Sequence, residues 1–171
     1  GVSTSAQQRF ALIISGASGG SPYAERYDRW RGALVSSLRS DLHIQEEDLF
    51  VLAEIPGPRV GRASQEGIRQ VPSTLTRRLS DDTTLLVVLI GHGTIDGIDA
   101  KFNLVGPDLD ASEWRSLLEP LPGRLIFANT TSASFPFLEH LTGERRIVIT
   151  ATNSPEQRYE TQFAAFFVEA F

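Results

Sequence analysis

The residue best suited to chemistry is His92, which stands between Gly91 and Gly93 at the end of an apolar run. A histidine at the end of a buried strand has its ring at the rim of the sheet, beside backbone N–H groups that the glycines leave uncovered. Such an imidazole can act as a general base, and such an amide can stabilise an oxyanion. The competing interpretation is a histidine that is only hydrogen-bonded in a turn, and it is the better one unless a reaction partner lies nearby.

A candidate partner is the hydroxyl-rich stretch ANTTSAS at 128–134, which follows the apolar run LIF. Thr130, Thr131, Ser132 and Ser134 carry hydroxyl groups that a histidine base could activate as nucleophiles. Such residues also satisfy backbone groups where a strand turns into a helix, and this structural interpretation stays open. An α/β-hydrolase arrangement is excluded because no G-x-S-x-G motif occurs.

Nucleotide and metal sites are weaker interpretations. The glycine-rich SGASGG at 15–20 lacks the G-x-G-x-x-G spacing, and no G-K-[ST] occurs in the chain. Glu54, at the end of the second strand, lies much farther along than the roughly 20 residues that the dinucleotide fingerprint requires, so a plain tight turn is the better interpretation. His43, His92 and His140 are isolated, with no H-x-x-x-H spacing, and neither a metal nor a cofactor is expected.

Length and composition indicate one globular domain spanning residues 1–171. Hydrophobic residues at 41% and charged residues at 22% are typical of a soluble protein. The 16 basic and 21 acidic residues give a net charge of −5, which argues against nucleic acid or an anionic membrane as the main partner. The longest apolar run, Leu85–Ile90, has the length of a strand, and a membrane span needs roughly 20 residues.

The chain contains no cysteine, which excludes disulfides, a thiolate metal site and a cysteine nucleophile. It begins at Gly1 and contains no methionine, so we expect that its natural start was removed and that a signal peptide could have preceded it. The source is expected to be bacterial. The compartment is left open, with an exported (periplasmic or secreted) location favoured over a cytoplasmic one.

Apolar strands alternate with amphipathic helices along the chain. Strands are expected at 9–14, within 48–58 and 81–93, at 123–128 and at 145–151, and residues 94–109 are expected to be irregular. Strands that are apolar throughout and alternate with helices predict a mostly parallel sheet covered on both faces, which is a three-layer α/β/α fold.

The helices have recognisable starts. Helices are predicted from Tyr23 to Leu42, from a Ser64 cap towards Leu79 with a kink or break at Pro72, after Asp110 with Glu113 at capping-box spacing, from Pro136 to Leu141, and from about Glu160 to Phe171. The last helix is expected to dock in the core through one face that carries Phe163, Phe166, Phe167, Ala170 and Phe171.

The order of these pieces resembles the caspase-like fold, and within it the legumain-type cysteine peptidases. The likeness covers nearly all of the chain and is carried by IISGASGGSPYAERYD, TLLVVLIGHGTIDG, LVGPDLDASEW and IVITATNSPEQRYET. In that family the histidine is catalytic, the adjacent glycine amide helps to form the oxyanion hole, and a cysteine lies in an E-A-C-x-S-G-S type motif. His92 and Gly93 match the first two of these.

The resemblance also implies where the chain departs from the family. Setting Ser132-Ala133-Ser134 against S-G-S places Thr130 at the cysteine position and Ala128 at the preceding acidic position. The asparagine that helps to orient the histidine aligns with Ser18, and an arginine that recognises the substrate aligns with Ala24. The cleft is expected to be lined by Ser18, Ala24, Ala128, Asn129 and Asn153.

The leading hypothesis is an inactive, pseudo-peptidase homologue that serves as a peptide-binding or scaffolding module with a peptide or protein partner. Losing a catalytic nucleophile typically costs on the order of 10⁴-fold in rate. The alternative is an active hydrolase that uses Thr130 or Ser132 with His92 as base, and a third possibility is a structural domain of a longer protein that continues beyond Phe171. The oligomeric state and the identity of the partner stay open.

Overall fold

Nine strands and five α-helices are present in the part of the chain that the computed structural model describes, residues 7–154, 157 and 159–171. The strands are β1 (Arg9–Ser15), β2 (Leu49–Ala53), β3 (Gly61–Arg62), β4 (Thr84–Ile90), β5 (Gly93–Asp96), β6 (Asp99–Phe102), β7 (Leu109–Asp110), β8 (Arg124–Asn129) and β9 (Arg146–Thr150). The helices are α1 (Ser21–Ser40), α2 (Gln65–Leu75), α3 (Ala111–Leu118), α4 (Phe135–Leu141) and α5 (Phe163–Glu169), with a 3₁₀ turn at Glu46–Asp48.

Six of the strands form one sheet in the order β3-β2-β1-β4-β8-β9, and every pair in it is parallel. Residues of β1 and β4 after the first are buried, as expected for strands covered on both faces. Alternate side chains enter two cores: Leu12 and Val87 pack with α2, α3 and α4, whereas Ile13 and Val88 pack with α1 and α5. The predicted three-layer α/β/α class is confirmed.

Helix starts follow the predicted caps. The Ser64 hydroxyl accepts a hydrogen bond from the Gly67 N–H at 3.2 Å, and α2 continues through Pro72 as far as Leu75. Asp110 and Glu113 form both bonds of a capping box, at 2.8 and 3.0 Å, so the prediction for α3 is confirmed. None of the helices in the described residues has the length and hydropathy of a membrane-spanning helix.

The prediction for the last helix is wrong in part. Helix α5 starts at Phe163 and not near Glu160, and its buried residues are Ala164 and Val168. Phe166 is 63% exposed and Ala170 is exposed as well. Positions 164, 168 and 171 share one side at helical spacing, and residues 166 and 170 fall on the opposite side.

Residues 94–109 are not irregular throughout, as was expected. Strands β5 and β6 form an antiparallel hairpin, and β7 pairs with β6 in a second, three-stranded sheet. Gly97 has a φ of 64° in the two-residue turn, which glycine adopts without strain. Ala100 and Phe102 alternate inward to the core, so the hairpin is anchored where β4 ends.

Candidate functional site

The site lies at the carboxyl edge of the six-stranded sheet. Strands β4 and β8 are neighbours in register, with Leu89 opposite Asn129, so the residues that follow them are also neighbours. His92 comes two residues after β4, and Thr130 comes directly after β8. In parallel sheets, the loops beyond the carboxyl ends of the strands are where ligands bind. The structure therefore brings together the histidine and the hydroxyl-rich stretch.

The imidazole of His92 is held in one orientation. Its Nε2 lies 2.9 Å from the backbone carbonyl oxygen of Ser18. Because a carbonyl oxygen can only accept a hydrogen bond, Nε2 must carry the hydrogen, and in the neutral ring Nδ1 is then an acceptor. Nδ1 makes no hydrogen bond with any described residue. The ring thus presents an acceptor at the edge of the sheet.

Two tyrosines of α1 fix the plane of this ring. The rings of Tyr23 and Tyr27 meet the imidazole edge-on, with centroid separations of 4.7 and 5.5 Å. Both separations lie within the range of favourable aromatic contacts. Sequence reasoning missed both residues, although their spacing of four places them on one side of α1, next to the predicted SGASGG turn.

The turn that carries Ser18 is itself tied to β2. The Ser18 hydroxyl donates to the Glu54 carboxylate at 2.6 Å and accepts a hydrogen bond from the Gly20 N–H at 3.3 Å. A hydroxyl–carboxylate bond is charge-assisted and short. Glu54, a third residue that sequence reasoning did not place in the site, therefore supports the carbonyl group that orients His92.

The amide of Gly93 faces the same corner. The Asn103 N–H donates to the His92 carbonyl oxygen at 3.0 Å, which makes His92 and Asn103 a hydrogen-bonded pair of the β5–β6 hairpin. Hydrogen-bonded and non-hydrogen-bonded pairs alternate in antiparallel strands, so the N–H and C=O of Gly93 point away from β6. The Gly93 carbonyl oxygen accepts from the Ser132 hydroxyl at 3.1 Å. The N–H is thus aimed towards the loop at 130–134.

Gly93 is also required sterically. A Cβ atom at this position would lie 2.1 Å from the Ser132 carbonyl oxygen and 2.6 Å from the Thr131 hydroxyl. Only a residue without a side chain permits this approach of the backbone to the loop. Ala133, in the same loop, has a φ of 52°, in the left-handed region that favours glycine.

The four hydroxyl groups of the loop are engaged in structural hydrogen bonds. The Thr130 hydroxyl donates to the Leu89 carbonyl oxygen at 2.7 Å, and the Ser132 hydroxyl donates to Gly93 as described. The Thr131 hydroxyl donates to the Asn129 side chain at 2.7 Å. The Ser134 hydroxyl accepts from the N–H groups of residues 151 and 152. None of these four groups is hydrogen-bonded to His92.

The remaining predicted residues lie in different surroundings. Ala128 and Asn129 are fully buried, the first in the core under α1, so neither contributes surface to a cleft. The Asn129 side-chain nitrogen has no hydrogen-bond partner among the described residues. Asn153 is exposed, and its N–H donates to the Gln157 side chain. Ala24 lines a cavity of about 20 Å³ beside Ser18, which is large enough for about one water molecule.

Tyr27 is the buried titratable group of the site. Its side chain is 3% exposed, and its hydroxyl has no hydrogen-bond partner among the described residues. Burial raises the pKa of the Tyr27 phenol above its usual value, and the negative charge of Glu160 adds to this effect. The phenol stays neutral in the folded protein.

Comparisons with known proteins do not assign this chain to a family. No protein-family model matches the chain, and no curated protein matches it. Among solved structures, the crystal structure of protein GSU0716 from Geobacter sulfurreducens is similar over 72% of this chain and 50% of its own, with 15% sequence identity and a TM-score of 0.48. This chain therefore spans about half the length of that protein, and the similarity is too low to support a conclusion about function.

Proposed function

We propose that this chain is a caspase-like domain of the legumain type that has lost peptidase activity and binds an extended peptide or protein segment in the former active-site cleft. The observation that carries the proposal is the contrast within one corner of the sheet. The imidazole of His92 is held by the Ser18 carbonyl oxygen and has a second ring nitrogen to offer, whereas the hydroxyls of Thr130 and Ser132 are hydrogen-bonded to backbone.

Two features of the residues around His92 support the resemblance to the legumain-type peptidases. Ser18, which aligns with the residue that orients the family's histidine, contacts the His92 ring through its backbone carbonyl group. Ala133 aligns with the glycine of S-G-S and has a left-handed φ, a conformation that costs an L-residue roughly 1–2 kcal/mol. A loop built for glycine thus keeps its shape with an alanine in that place.

The state of the hydroxyl groups supports the loss of activity. A hydroxyl becomes a nucleophile when a base within roughly 3 Å accepts its proton. The proton of Thr130 is directed to the Leu89 carbonyl oxygen, and that of Ser132 to the Gly93 carbonyl oxygen. Both residues are buried, at 3% and 5% exposure. The alternative, an active hydrolase, needs one of them to turn towards His92.

Peptide binding is supported by what the corner offers to a ligand. An acceptor at His92 Nδ1 complements the backbone N–H of an extended chain. Among the exposed hydrophobic residues, Ile55 follows β2, Ile98 lies in the turn between β5 and β6, and Tyr159 lies on the segment that follows β9. They supply apolar contacts for side chains of the bound segment.

The test measures hydrolysis and binding with one mixed library of extended peptides. The wild-type domain is expected to enrich a subset of the library without cleaving it, and His92→Ala is expected to lose that enrichment. His140→Ala serves as the matched control, since His140 lies on α4, away from this edge. Cleavage that disappears in both Thr130→Ala and His92→Ala would establish the hydrolase instead, and a library that is neither bound nor cleaved would leave the peptide-binding proposal without support.

A further inference from the structure

Residues 159–162, which lead into α5 and which we call the strap, connect two separate parts of the site. The Glu160 carboxylate lies 2.5 Å from the guanidinium of Arg26 in α1. The next residue, Thr161, donates a hydrogen bond from its hydroxyl to the backbone carbonyl oxygen of Thr130 at 3.0 Å. Two consecutive residues of the strap thus contact α1 on one side and the end of β8 on the other.

The anchor on α1 belongs to the wall of the His92 corner. The Arg26 guanidinium lies over the Tyr23 ring, 5.5 Å from its centroid, and over the Trp30 ring at 5.9 Å. The Tyr23 ring in turn contacts the His92 imidazole. Glu160 is also close enough to raise the pKa of Tyr27, whose ring forms the other contact with His92. The ion pair therefore lies next to the rings that hold the imidazole.

The anchor on β8 lies at the position that aligns with the nucleophile. Strand β4, which carries His92, lies between β1 and β8 in the sheet, and α1 covers the face of β1 and β4. A segment that joins α1 to Thr130 consequently crosses the end of β4. We propose that the strap is an intramolecular cover of the His92 site and that it must release Arg26 before an extended ligand can contact the imidazole.

The ion pair between Arg26 and Glu160 is weak enough for the strap to open. The side chains of Arg26 and Glu160 are 39% and 36% exposed, so water and salt screen their attraction. Removing an exposed pair of this kind shifts a local equilibrium by about two- to fivefold. Its loss should therefore increase the open fraction of the strap without unfolding the domain.

The inference rests on the proposed function in taking the His92 corner as the ligand site, but its test needs no peptide. Diethyl pyrocarbonate reacts with accessible neutral imidazoles, and mass spectrometry gives the rate at each histidine. Arg26→Ala and Glu160→Gln are each expected to increase the rate at His92 about two- to fivefold. High salt should increase it in the wild-type protein and leave it unchanged in Glu160→Gln.

Matched controls distinguish the release of the strap from a general loosening of the domain. Arg69 and Glu113 form another exposed ion pair, with side chains 47% and 38% exposed, and Arg69→Ala and Glu113→Gln should leave the His92 rate unchanged. His43, which is exposed, serves as the internal reference in every variant. An unchanged rate in Glu160→Gln, or an equal increase in the control variants, would overturn the proposal. A failure of the peptide library alone would leave this measurement intact.

Discussion

Replacing Gly93 by alanine tests how tightly the loop at 130–134 packs against the amide beside His92. The new Cβ atom would lie 2.1 Å from the Ser132 carbonyl oxygen, so the loop must retreat by roughly 1 Å to restore ordinary contact. Overpacking of this kind costs about 1–3 kcal/mol, and loss of the bond from Ser132 to Gly93 costs about 1 kcal/mol more.

Part of that penalty is offset because alanine has less conformational freedom than glycine in the unfolded chain. Folding therefore costs alanine about 0.5–1 kcal/mol less in conformational entropy. The net destabilisation of Gly93→Ala is therefore about 2 kcal/mol. For a chain of this size, each kcal/mol lowers the melting temperature by about 2–4 °C, so a decrease of about 4–8 °C is expected in a calorimetric scan.

The matched control is Gly32→Ala in the middle of α1, where a Cβ atom would meet nothing within 4 Å. Alanine is the better helix former by about 1 kcal/mol, so this variant should melt about 2–4 °C higher than the wild type. Replacing glycine by alanine is thus expected to lower the melting temperature at position 93 and to raise it at position 32. If Gly93→Ala melted at or above the wild-type temperature while Gly32→Ala behaved as expected, the close packing of the loop would be refuted.

Three further substitutions test the hydrogen bonding of the site and its frame, each by urea denaturation. Tyr27→Phe should stabilise the protein by about 1 kcal/mol at neutral pH, because it removes a buried hydroxyl that has no partner among the described residues. Because the pKa of Tyr27 is raised in the folded protein, the unfolded chain loses the phenol proton at a lower pH than the folded chain does. The free energy of unfolding of the wild type should therefore decrease above about pH 10, the usual pKa of tyrosine. This decrease should be much smaller in Tyr27→Phe. Thr130→Val should destabilise by about 0.5–1.5 kcal/mol by removing the hydroxyl hydrogen bond to the Leu89 carbonyl oxygen, which keeps the bond from the N–H of residue 130, whereas Thr130→Ser should retain most of the stability. Asp110→Ala should cost about 1–2 kcal/mol by removing the cap of α3, and Asp110→Asn should cost less. A Thr130→Val variant as stable as Thr130→Ser would show that the hydroxyl has no structural role.

The main sheet was predictable because its strands are apolar on both faces. Runs such as LLVVLI are typical of strands inside a covered parallel sheet, and turn residues mark where each run ends. The neighbouring positions of His92 and the loop at 130–134 follow from the same pattern, since strand ends of a parallel sheet share one edge. The caps at Ser64 and Asp110 were visible because a side chain bonds to an amide only three residues away.

The interior of the site was not predictable, because it depends on contacts between residues far apart in the chain. The partner of the His92 ring is a backbone carbonyl group of residue 18, and a carbonyl group is present at every position of any sequence. Tyr23 and Tyr27 have the spacing of ordinary core residues. The error at Phe166 has a similar origin, because a helix rich in apolar residues does not reveal which side meets the core.

Under the proposed function, Thr130 is a residue that changes the use of a site without disturbing its shape. A hydroxyl is a poor nucleophile but a good hydrogen-bond donor, and here it links the end of β8 to the carbonyl oxygen of Leu89 in β4. Together with the bond from the Thr130 N–H to the same oxygen, it ties the end of β8 to the end of β4. In the proposed function, the threonine that stands at the position of the family's cysteine adds a hydrogen bond to this corner, and a ligand would meet a preorganised acceptor at His92. Such a corner suits the proposed binding role, because affinity gains from a rigid site whereas catalysis also requires a group that reacts.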